Sequence, residues 1–87
     1  MRLDKFLQVS RLIKRRTVAK EVAEGGRVSI NGRPAKPSTA VEVGDRLLID
    51  LPRGRLQVEV LEVKDHVPAK AAASLYRVIE GRDVDDL

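Results

Sequence analysis

TVAKEVAEGGRVSINGR, residues 17–33, holds the switch on which the fold turns. In its first half, Val18, Ala19, Val22 and Ala23 recur with the period of a helix. Gly25-Gly26 then stops that helix, since glycine enters the left-handed conformation of a helix end without steric cost. Beyond it the period becomes two: Val28 and Ile30 alternate with Arg27 and Ser29. Asn31-Gly32 follows, and both residues tolerate the positive φ that a two-residue hairpin requires.

Upstream, RLDKFLQV (residues 2–9) places Leu3, Phe6 and Leu7 on one helical stripe, with Arg2, Lys5 and Gln8 off it. Thr17 is the expected N-cap of the second helix, with its capping box incomplete because Lys20 stands where Glu would close it. Downstream, Pro34 and Pro37 restrict the returning strand to a short or edge position. Val41 and Val43 alternate as a further strand. Leu47, Ile49 and Leu51 share one face of RLLIDL after the Gly44-Asp45 turn. Pro52-Arg53-Gly54-Arg55 reads as a turn, and Leu56, Val58 and Val60 as a strand that could run to Val63. His66 to Pro68 breaks it. AKAAASLYRVIE (residues 69–80) reads as a third helix from its strong helix formers, although Val78 and Ile79 also suit an extended segment. The expectation is an α+β domain over residues 1–80, two N-terminal helices packed on a small, mostly antiparallel sheet with a C-terminal helix. An acidic tail is expected over 81–87.

The composition narrows the function. The 87 residues contain 43% hydrophobic side chains but only two aromatics, Phe6 and Tyr76, and no Cys and one His. Thiol chemistry and Cys/His zinc sites are therefore absent. No apolar run approaches the roughly 18 residues of a membrane span, and Asp4 and Lys5 interrupt any leader pattern, so a cytoplasmic protein is expected. Asp4, Asp45, Asp50 and Asp65 are scattered, and no pairing argues for acid–base work. Ser10 and Ser29 have no His nearby in sequence, and Gly25-Gly26 closes a helix where a phosphate loop would open one. His66 reads as a solvated loop residue. No catalytic, metal or cofactor site is expected.

Charge is the feature above background. The net charge of +4 divides unevenly: residues 1–40 hold ten basic and three acidic residues, net +7, and residues 41–87 seven and ten, net −3. Arg11, Lys14, Arg15 and Arg16 fall within six residues, and no acid lies between Lys5 and Lys20. At about 100° per residue counted from Val18, Arg16 falls at about 160° and Lys20 at about 200°, both on the rim of the buried arc. Their heads project together, joined by Arg11, Lys14 and Arg15 from the inter-helix turn. Guanidinium suits phosphate because its planar fork donates two hydrogen bonds at once. The plainer reading is a solvated charged face, with Lys20 paired to Glu24. With so few aromatics for base stacking, a nucleic-acid partner would be read by backbone and shape. A general RNA or DNA module, and a protein adaptor using the acidic half, remain open.

RLDKFL at the start, SR and RRT around the helix–helix turn, GGRVSING at the helix exit and VGD before the later strand occur in that order. Over about residues 1–50 this pattern resembles the S-four-type RNA-binding domain, named after a small-subunit ribosomal protein. The resemblance implies an α-α-β unit that docks on structured RNA. Position by position it nominates Arg2, Lys5, Arg11, Arg15, Arg16, Thr17, Lys20, Arg33 and Lys36 as RNA-facing. Within that family the chain is similar to small stand-alone bacterial members of ribosome-associated quality control, and next to the fifteen-kilodalton ribosome-associated heat shock protein. That likeness implies a monomeric, non-catalytic protein without cofactors on stalled large ribosomal subunits. It would contact large-subunit ribosomal RNA and peptidyl-site tRNA beside the factor that adds the untemplated alanine tail.

Overall fold

The computed structural model describes residues 1–51 and 54–81. Two α-helices, α1 (Leu3–Val9) and α2 (Arg16–Glu24), precede five strands: β1 (Val28–Ile30), β2 (Arg33–Pro34), β3 (Arg46–Leu51), β4 (Gly54–Val60) and β5 (Tyr76–Gly81). A 3-10 helix, Ala69–Leu75, leads into β5. The strands form one sheet in the order β2-β1-β3-β4-β5, with every pairing antiparallel.

The hairpin forms as its sequence demands. Ile30 pairs with Arg33 across Asn31 (φ 52°) and Gly32 (φ 84°), the two consecutive left-handed residues of a tight turn that continues the strand twist. The Asn31 side chain also works at longer range. Its Oδ1 accepts from the Arg46 N–H at 3.0 Å and its Nδ2 donates to Asp45 Oδ1 at 3.0 Å. The hairpin tip is thereby tied to the entry of β3.

Both helix ends are built from backbone. At the end of α2, the N–H of Gly26 (φ 72°) donates to Ala23 O and that of Arg27 to Val22 O, the paired bonds of a left-handed helix stop. At the start of α1, no side chain caps the helix. Its Leu3 and Asp4 N–H groups donate instead to the carbonyls of Thr39 and Pro37, which satisfies donors that would otherwise lack partners. Arg2 bridges Ala40, and the Val41 N–H donates to Met1 O at 2.7 Å.

The core joins both halves. Leu3, Phe6 and Leu7 of α1, Ile13, and Ala19, Val22 and Ala23 of α2 form one buried cluster with Val28, Leu47, Ile49, Leu56, Val58 and Val60. The registers line these up as rows, Val28–Ile49–Leu56 and Ile30–Leu47–Val58. Aliphatic side chains suffice because period-two patterning brings each to the same sheet face.

Four expectations need correction. Val41 and Val43 form no strand: Val41 is buried against the N-terminus, while Glu42–Asp45 becomes a turn that leaves Val43 62% exposed. There the Glu42 N–H donates to Asp45 Oδ2, so turn chemistry overrides alternation. The third helix stops at Leu75 as a 3-10 helix. From Tyr76 the aromatic and β-branched residues add β5 to the free edge of β4, where such side chains fit better than in a helix. Thr17 is not the N-cap of α2: Arg15 holds that position, and Thr17 lies in the first turn. Finally, β4 ends at Val60, short of Val63. Pro52 and Arg53 of the expected turn, and the acidic tail from 82 onward, lie outside the described residues.

Candidate nucleic-acid interface

The backbone pairing of residues 1–2 with 39–41 fixes Arg2 at the head of α1. Its guanidinium then forks onto Asp4, with Nε donating to Oδ1 at 3.1 Å and Nη2 to Oδ2 at 3.2 Å. The Arg2 side chain is 62% exposed, so this pair orients the arginine more than it stabilises the fold. Asp4 also lies in the first turn of α1, where its charge complements the helix dipole. One turn further along α1, Lys5 and Gln8 project from the same side of the helix.

The first turn of α2 faces them. Arg16, Thr17 and Lys20 line an open groove of about 590 Å³ together with Arg2, Asp4, Lys5 and Gln8. No acidic residue occupies that first turn, so the partial positive charge of the helix N-terminus adds to the side-chain cations. Lys20 approaches Glu24 at 4.0 Å, the limit of an ion pair, with side chains 66% and 56% exposed. A contact this loose and wet is worth a few tenths of a kcal/mol, so Lys20 stays available. Lys5, Arg11, Lys14, Arg15 and Arg16 make no ion pair among the described residues. Four cations around an open groove can replace the counterions of several phosphates at once.

Of the ten residues the sequence nominates, the groove brings together Arg2, Lys5, Arg16, Thr17 and Lys20. Arg11 and Lys14 lie elsewhere, around a smaller hollow that they share with Lys5. Arg15 is exposed at the N-cap of α2 and lines neither. Arg33 on β2 and Lys36 after it are exposed and also line neither; the Lys36 N–H donates to Thr39 Oγ1 in the turn that carries the α1 start. Sequence reasoning passed over Gln8, although its i+3 spacing from Lys5 was the available signal. Asp4, one of the scattered acids in sequence, grips Arg2 in the structure. Among the described residues, no three His, Cys, Asp or Glu side chains gather where they could hold a metal ion.

The architecture and the groove define a class: a small α+β module whose helix pair, braced by an antiparallel sheet, presents a concave cationic face to a polyanion. Residues 1–47 match the model of the S4 domain, and the chain belongs to the S4 domain family. It is 52% identical over 80 residues to the "RQC P-site tRNA stabilizing factor" of Bacillus subtilis, covering 92% of this chain and 93% of that protein. It is 50% identical over 86 residues to the protein of the same name in Streptococcus pneumoniae, covering 99% and 98%. Among solved structures it resembles the trimeric structure of Vibrio cholerae Heat Shock Protein 15, with a TM-score of 0.81 and 35% identity over 90% of this chain and 80% of that one. No helix among the described residues is long and apolar enough to cross a membrane.

Proposed function

We propose that this protein is a non-catalytic RNA-binding factor of ribosome-associated quality control. It binds the large ribosomal subunit through ribosomal RNA, steadies the peptidyl-site tRNA, and so supports C-terminal alanine tailing of the stalled chain. The groove that gathers Arg2, Lys5, Arg16, Thr17 and Lys20 carries this reading, supported by whole-length similarity to factors named for P-site tRNA stabilisation. Recognition is electrostatic and geometric: phosphates settle into a preformed cationic groove, and selectivity comes from the shape of a folded RNA surface. On this reading the protein acts in the cytoplasm, as a single copy, and needs no cofactor.

Co-sedimentation through sucrose tests it, using large subunits that carry peptidyl-tRNA. The parent protein is expected to pellet with the subunits, and the Arg16→Ala/Lys20→Ala variant to remain largely in the supernatant. Equal binding of the parent to any RNA or DNA duplex would favour a general nucleic-acid module. Undiminished pelleting of the double variant would favour an adaptor that uses the acidic half.

A further inference from the structure

Lys5 and Gln8 line two hollows. Beyond the groove described above lies a second cleft of about 250 Å³, where they are joined by Arg11 and Lys14 of the helix–helix turn and by Asp65, His66 and Val67. Val9 and Val67 are half-buried and packed against the core, whereas Arg11, Lys14 and His66 are exposed. The cleft therefore has an apolar floor and a cationic rim. Such a combination suits a ribose–phosphate chain, with the sugar on the valines and the phosphate at the rim. Asp65, the one carboxylate among the described lining residues, repels an anion at its own end and favours one nearer Arg11 and Lys14.

The rim is held in place. Arg11 has φ 61°, a left-handed conformation usually left to glycine at a helix end. Its N–H donates to Gln8 O, and the Ile13 N–H to Leu7 O. The Ser10 hydroxyl, buried in the same turn, donates to Leu7 O and accepts from the Leu12 N–H. The arginine thus leaves a backbone that is locked on both sides. The opposite rim, residues 65–67, lies outside the 1–47 family match.

We infer that this second cleft binds a second stretch of RNA phosphodiester backbone, continuous with the first over the Lys5–Gln8 edge, and that His66 is an RNA contact at its far end. The inference rests on the proposed RNA-binding function and extends the interface into the second half of the chain. Imidazole supplies a hydrogen-bond donor for phosphate and a flat face for a ribose or base.

The chain has no native cysteine, so Asp65→Cys provides a unique anchor beside His66 for a tethered iron–EDTA cleavage reagent and leaves His66 itself in place. The full-length labelled protein is bound to large subunits, with and without tRNA in the peptidyl site. Discrete strand scission is expected near the tethered reagent. Cuts in ribosomal RNA in both arms identify ribosomal RNA as the occupant, and cuts in tRNA confined to the tRNA arm identify tRNA. In parallel, Arg11→Gly/Lys14→Ala removes both rim cations, and glycine keeps the left-handed backbone. This variant is expected to bind roughly tenfold more weakly near 0.15 M salt and to lose one to two units, roughly, of salt-dependence slope. Bound protein without discrete cuts, or a double variant with parental affinity and slope, overturns the inference. If Arg16→Ala weakens binding while the rim variant does not, only the second cleft fails. If neither weakens it, the RNA-binding reading fails as well.

Discussion

Residues 1–40 carry net charge +7 and residues 41–87 net −3, and the two halves also arrange their charges differently. In the second half, opposite charges meet across neighbouring strands. Asp50 pairs with Arg55 between β3 and β4, and Glu59 with Arg77 between β4 and β5, each at directly opposed register positions. Such pairs contribute modestly to the sheet. In the first half, Lys5, Arg11, Lys14, Arg15 and Arg16 have no ion-pair partner among the described residues. Their mutual repulsion slightly opposes compaction, and apolar packing together with the backbone bonds at the start of α1 secures the helices beneath them. The cross-strand pairs brace the sheet, and on the proposed function the unpaired cations of the first half serve a partner. Stability and binding should therefore respond to different substitutions.

The largest effect should fall where the halves are joined. Phe6 is fully buried in the shared core, and Phe6→Ala should lower stability by about 3–5 kcal/mol. Urea unfolding measures this, and subunit binding should be lost together with the fold. Next, Arg16→Ala/Lys20→Ala should weaken binding to large subunits by roughly a hundredfold near 0.15 M salt while leaving the urea midpoint within error. That outcome separates the two roles of charge; a comparable loss of stability would merge them. A smaller effect belongs to the brace between hairpin and sheet. Asn31→Gly keeps the positive φ but removes the bonds to Asp45 and the Arg46 N–H, and should cost about 1–2 kcal/mol. The same change in an Asp45→Ala background should cost less, because one of the two bonds is already gone.

The smallest effect concerns Glu59, whose carboxyl is held below its ordinary pKa chiefly by the hydrogen bond from Arg77. A depressed carboxylate stabilises the fold above its unfolded-state pKa, and that contribution fades as pH falls through the folded value. The parent's small stability advantage over Arg77→Ala should accordingly be present near neutrality and shrink on acidification through the glutamate range. Subunit binding at neutral pH should be the same for both proteins.

Much of the front half was legible in the chain because its signals are local. The helix stop at Gly25-Gly26, the Asn31-Gly32 hairpin and the i,i+4 display of Arg16 and Lys20 each depend on residues close in sequence. What escaped depends on distant partners. Val41 alternates correctly with Val43 yet pairs with Met1, and nothing near it announces that neighbour. The helix-forming run 69–75 ends as β5 begins because β4 offers an edge to Tyr76–Gly81, a tertiary preference that local propensity does not encode. The cationic groove was legible in composition but not in membership. Gln8 joins it, and Arg15, Arg33 and Lys36 do not, because only the packing of α1 on α2 decides which side chains face one another.

The most direct test of the partition between fold and partner is the salt dependence of binding to large ribosomal subunits, parent against Arg16→Ala/Lys20→Ala. The parent's log-affinity should fall with log salt at a slope of about −3 to −5, and the variant's slope should be shallower by about one for each cation removed. A parental slope near zero, or one that the double substitution leaves unchanged, would contradict it.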